Sequence, residues 1–201
     1  MRRDFPHAGA GPLACRKIQV EHLAGDGKAI GEVLSDNNVL RGIGRALRTV
    51  TRDTQWQWDS ALAGTSSAML LLDRMMRRHE KSGQPFSVMG FSLGVKVVID
   101  ALSRVRKPFA HLERVVLVGA AVPARAYERL PDWLLARNKG VVHVWSRNDL
   151  VLESLYPLVH GPHPAAGKCP VGIPRVVNVQ VDVGHGGYER IADHLVCLAT
   201  E

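Results

Sequence analysis

The stretch that most constrains this chain is Gly90-Phe91-Ser92-Leu93-Gly94. A short apolar run, residues 85–89, leads into it, and helical spacing continues after it at Val95, Val98, Ile99 and Leu102. A chain that passes directly from buried strand to helix through Gly-x-Ser-x-Gly must make a sharp, crowded turn. Side chains two residues either side of the serine would collide with the neighbouring strand and helix, which is why glycine stands there. The turn lifts the Ser92 hydroxyl out of the carboxyl edge of a sheet. It also aims backbone N–H groups, that of Leu93 among them, at the first turn of the following helix, where an oxyanion can be held.

A serine hydroxyl is a weak nucleophile until a base takes its proton, and an imidazole base needs a carboxylate to orient it. Two further strand-like runs end in such groups. Residues 141–145 are followed by Ser146-Arg147-Asn148-Asp149, and residues 176–181 by Asp182-Val183-Gly184-His185-Gly186-Gly187. Asp149 and His185 therefore fall at the carboxyl ends of strands, the edge at which open parallel sheets place their ligands. Glu153 and Asp182 compete for the acid's role, but Asp182 is too near His185 along the chain and Glu153 lies deeper in the next segment. Of the other histidines, His143 reads as core, His160 and His163 lie in a proline-rich loop, and His194 is helical. The loop after the first strand, His22-Leu23-Ala24-Gly25-Asp26-Gly27, offers Gly25 as a second oxyanion donor.

Strands alternating with helices predict an α/β fold, a mostly parallel, doubly wound sheet with helices on both faces. Strands are expected within residues 17–23, 48–54, 85–89, 114–118, 141–145 and 175–183, and helices over 65–80 and 187–199. Thr65 or Ser66 would cap the first of these helices, and Leu72, Met75, Met76 and His79 would share its inner face. The segment 119–139 is too short for a large cap domain. A small helical flap including Trp133, Leu134 and Leu135 would cover the site at most.

With 201 residues, 46% of them apolar, the chain suits one domain over 1–201, with 1–14 an irregular arm. No apolar stretch approaches the ~20 residues of a membrane span, and no leader-like apolar segment follows Arg2 and Arg3, so a cytoplasmic location is expected. Three cysteines without ligand spacing suit a reducing compartment and give neither a disulfide framework nor a metal site. The net charge of +7 is spread over several helices without an interleaved aromatic platform. That pattern argues against nucleic acid and leaves weak attraction to an anionic membrane surface. Gly42-Ile43-Gly44-Arg45-Ala46-Leu47 lacks the third small residue and the preceding strand of a dinucleotide site. No cofactor is expected.

Four blocks together, Gly90–Gly94, Val116-Leu117-Val118-Gly119-Ala120, residues 145–152 and residues 183–188, resemble the α/β-hydrolase superfamily. Within it they are similar to the poorly characterised hydrolases related to transmembrane and coiled-coil domain proteins. The resemblance covers residues 85–190 and implies a Ser92–Asp149–His185 triad acting on carboxylic or lipid esters. The same triad would serve a thioesterase or peptidase, and the scaffold without turnover would be a binding module.

Overall fold

The structure, a computed structural model, describes residues 18–20, 43–137 and 140–200. Five strands, β1 (Ile18–Val20), β2 (Phe86–Phe91), β3 (Leu112–Val118), β4 (Val141–Trp145) and β5 (Val176–Gln180), form one sheet in the order β1-β2-β3-β4-β5. Every neighbouring pair is parallel, with Met89 opposite Val116, Val116 opposite Val142, and Val142 opposite Val177. Each crossover therefore returns the chain to the amino edge, and a sequential order built from right-handed crossovers keeps the connecting helices on one face. Those helices are α1 (Ile43–Ser82), α2 (Gly94–Leu102) and the short α3 (Asp132–Leu135). After β4 come α4 (Leu150–Ser154) and α5 (Tyr156–His160), and after β5 comes α6 (Ala192–Thr200).

The period-two alternation of the central strands decides which face each side chain serves. Val115 and Leu117 of β3 point towards α1 and α2, where Met69, Leu72, Met76, Val95, Val98 and Leu102 complete a core. Val116 and Val118 point the other way, joining Val142, Val144, Tyr188 and Leu195 beneath α6. Both faces of β3 are thus buried, which accounts for its unbroken β-branched run. The parallel α/β architecture read from the sequence is the one observed.

Four local expectations give way. Residues 48–54 are not a strand but lie within α1, a single helix of 40 residues. No glycine or proline interrupts residues 45–63, so a short β-branched run at Thr49-Val50-Thr51 is overridden by its helical surroundings. Thr65 accordingly does not cap a helix start; its hydroxyl donates to the Leu62 carbonyl at 2.6 Å, inside the helix. Met75 faces solvent, 38% exposed, whereas Leu72 and Met76 are buried. Finally, Leu134 is fully buried in the core and Trp133 meets Phe109 edge-on at 6.3 Å. Arg137 closes that corner by donating to the carbonyls of Phe109 and Leu112. These residues belong to the amino edge, where the chain must return before entering β4, and do not form a flap over Ser92.

His143, assigned to the core, sits wholly buried in β4. Its Nε2 faces the carbonyls of Ala166 and Cys169, both at 3.1 Å, so Nε2 carries the proton. Nδ1 then accepts from the Tyr127 hydroxyl at 2.7 Å. Burial holds the His143 pKa below its ordinary value, and the neutral ring ties the 165–170 loop to the sheet.

That loop passes β3 at very close range. Gly167 donates to the Ala120 carbonyl at 2.9 Å and accepts from Ser146 N–H at 3.0 Å. A Cβ on Gly167 would lie 2.5 Å from both Ala120 N and Leu152 Cδ1. Gly167→Ala is expected to cost on the order of 3 kcal/mol by forcing backbone apart. Calorimetry should show a thermal midpoint lower by roughly 6–12 °C; an unchanged midpoint would mean that the loop is not held this tightly.

Candidate active site

β2 ends at Phe91, and α2 starts at Gly94, leaving Ser92 and Leu93 to make the turn. Ser92 adopts φ +52°, a left-handed conformation that non-glycine residues rarely hold. Three hydrogen bonds fix it there. Its N–H donates to Val118 O at 2.9 Å, and its carbonyl accepts from Val95 and Ala121 N–H at 3.2 Å. Gly90 is required by crowding, because a Cβ there would sit 2.9 Å from Val98 Cγ2 and 3.0 Å from Gly94 O. Strain of this kind, over-determined by its surroundings, gathers at functional sites.

Asp149 follows β4 and is fully buried. Its Oδ1 accepts from Leu152 N–H at 3.0 Å and so caps α4. Its Oδ2 meets His185 Nδ1 at 2.8 Å. One carboxylate thus serves as helix cap and as imidazole anchor. With a carboxylate on Nδ1, that nitrogen carries the proton and Nε2 is left as the free base. His185 opens the 3-10 turn His185–Ile191 after β5. The competing acids are engaged elsewhere. Glu153 pairs with Lys168 at 2.7 Å, and Asp182 accepts from the Asn148 side chain.

The histidine reaches the serine's neighbourhood through aromatic packing. The His185 ring lies over Phe91, the residue before Ser92, with centroids 4.9 Å apart and planes tilted 35°. Tyr188 meets both rings edge-on, at 5.5 Å from Phe91 and 6.4 Å from His185. Burial, and the nearby Asp149 carboxylate, push the Tyr188 phenol well above its ordinary range, so it stays neutral. Among the described residues the Ser92 hydroxyl makes no hydrogen bond to the imidazole. Leu93 is buried at the start of α2. Gly25, the other oxyanion candidate, lies outside the described residues.

Sequence reasoning overlooked Ser146 and the role of Phe91. The Ser146 hydroxyl donates to Val183 O at 2.6 Å and accepts from Asn148 N–H at 3.1 Å, pinning the acid loop to the histidine loop. A serine two residues before an asparagine at a strand end is the turn signal that marks it. Among the described residues no group of three or more His, Cys, Asp or Glu side chains is placed to hold a metal.

With 28% identity over 152 residues, the chain is similar to the rice (Oryza sativa subsp. japonica) transmembrane and coiled-coil domain-containing protein STS1. That match takes in 69% of this chain and 22% of the relative. It is also 30% identical over 103 residues to the uncharacterized membrane protein C6F6.13c of Schizosaccharomyces pombe, covering 50% of this chain and 18% of that one. The chain therefore spans about a fifth of the length of these curated relatives. Both are named as membrane proteins; among the described residues here, no helix is long and apolar enough to cross a membrane. Of solved structures, the esterase PF2001 of Pyrococcus furiosus shares 14% identity at a TM-score of 0.36, covering 66% of this chain and 59% of its own. A predicted CIB-like hydrolase of Thermoplasma acidophilum shares 18% at 0.35, covering 66% and 60%. The family model described as protein of unknown function (DUF726) matches residues 28–197, and the chain belongs to that family.

Proposed function

We propose that this chain is a serine hydrolase cleaving carboxylic esters through an acyl-enzyme. The observation that carries the reading is the left-handed Ser92, held between strand and helix next to Phe91, whose ring packs on a histidine with its Nδ1 bound to a buried carboxylate. In this scheme Ser92 Oγ attacks the acyl carbon while His185 Nε2 takes its proton. The tetrahedral oxyanion is held by the Leu93 N–H at the N-terminus of α2. Collapse expels the alcohol as an alkoxide, which receives the proton from His185. Water then attacks the acyl-enzyme with His185 again as base, freeing the acid and restoring Ser92. Asp149 keeps the imidazole in the required tautomer and stabilises its charged form. Catalytic hydrogen bonds commonly tighten only when substrate fills the site, and the Ser92–His185 bond is assigned to that state.

An ester is favoured over an amide because its alkoxide leaves with less help from the acid. A matched set of p-nitrophenyl ester, thioester and anilide with one acyl group tests this. The expected order is ester first, with an initial burst of nitrophenol marking the acyl-enzyme. Faster thioester or anilide turnover would reassign the leaving group, and no turnover of any of the three would remove the hydrolase reading.

A further inference from the structure

A cavity of about 170 Å³ opens beside the Ser92 turn, between α1, α2 and the 3-10 turn Ala124–Arg129. Leu62, Leu93, Ile99, Val122 and Ala126 give it apolar walls. Lys96, Asp100, Arg129 and His160 also border it. Resting on the hydrolase reading above, we propose that this cavity receives the acyl chain of the ester and accommodates about six carbons. The ion-paired cluster at Asp100 borders its far end.

The cavity adjoins the Ser92 turn. Leu93 is the next residue, and Ala121, another wall residue, donates its N–H to the Ser92 carbonyl at 3.2 Å. From there it follows one face of α2, because Leu93, Lys96 and Asp100 are spaced three and four residues apart. The rise from 93 to 100 is roughly 10 Å. Apolar cavities of about 150 Å³ admit a benzene-sized molecule, so six carbons is the matching load.

The charges at the far end are directed at one another. Asp100 meets Lys96 Nζ at 2.6 Å and Arg129 at 2.7 Å. A longer chain would have to strip solvent from that cluster, which returns nothing to the methylenes that displace it. At the rim, His160 accepts from Trp58 Nε1 at 3.1 Å and stacks on Tyr156 at 4.6 Å. Burial, with the Lys96 charge, lowers its pKa and keeps that imidazole neutral.

Chain-length profiles of p-nitrophenyl esters from acetate to dodecanoate read the cavity directly. In the wild-type chain kcat/KM should rise about fourfold for each methylene buried up to hexanoate, then level or fall. Ala126→Phe and Leu62→Trp, two independent ways of filling the space, should each lower hexanoate turnover at least tenfold more than acetate turnover. A flat wild-type profile, or an optimum unmoved in both variants, would overturn the proposal while leaving ester cleavage itself intact. If no ester is cleaved, the hydrolase reading fails by itself, and methyl NMR with sodium hexanoate judges the cavity. Saturable shifts at Leu62, Ile99 and Val122 would keep it as an acyl site; silent methyls there would overturn it.

Discussion

Ser92→Ala is expected to lower ester turnover by ten-thousand-fold or more, to the level left by binding and the oxyanion donors alone. The size of the effect follows from the step it removes. Without Oγ no acyl-enzyme forms, and His185 has no proton to move. A structural reading of the same residue makes the opposite forecast. Ser92 holds φ +52° at a cost of about 1–2 kcal/mol for a side chain with a Cβ. Ser92→Gly relieves that cost, so this variant should be as inactive as the alanine one but more stable by about 1 kcal/mol in urea unfolding. Loss of activity with a gain of stability is the signature of a residue kept for chemistry. A glycine variant that is both less stable and still active would contradict the assignment.

Asp149→Asn should have the second largest effect, about ten-thousand-fold in kcat, if the carboxylate sets the tautomer of His185. Asparagine is nearly isosteric, and its carbonyl oxygen can still accept the Leu152 N–H that Asp149 Oδ1 now receives at 3.0 Å. Its amide nitrogen then faces His185 Nδ1, donor against donor, and the ring must present the wrong nitrogen to Ser92. The fold should survive this change with a thermal midpoint within a few degrees. Asp149→Ala is the harsher variant, since it also removes the α4 cap, worth about 1 kcal/mol. If the asparagine variant kept full turnover, the contact between Asp149 and His185 would be structural only.

Much of this site is legible in the sequence because its parts sit where strands end. A β-branched run without alternation marks β3, and the loops that follow β4 and β5 carry Ser146, Asp149, Asp182 and His185. Glycine spacing around Ser92 carries its own physical reason, borne out at Gly90, where any Cβ would strike Val98. The failures arise where local preference and tertiary demand disagree. Thr49-Val50-Thr51 looks like strand in isolation yet belongs to a helix long enough to bury Met69, Leu72 and Met76 against the sheet. Trp133 and Leu134 look like a lid because they are apolar and follow a proline. A parallel sheet, however, needs that segment at its amino edge, where Phe109 and Arg137 hold it.

Other features could not be read because they exist only once distant segments meet. The Ser146–Val183 hydrogen bond joins loops 37 residues apart. The Phe91–His185 stack forms only when β2 and the turn after β5 reach the same rim. The cavity beside Leu93 draws its walls from α1, α2 and the segment after β3, and no single stretch of sequence encodes it.

The central claim is that Ser92 is a nucleophile activated by His185. Peptide mapping by mass spectrometry after treatment with a fluorophosphonate tests it most directly, since such reagents need an activated serine and no knowledge of the substrate. The account predicts one adduct per chain, on the peptide bearing Ser92, absent from Ser92→Ala and strongly slowed in His185→Gln. A folded wild-type chain that takes no adduct, or takes it on another residue such as Ser146, would contradict it.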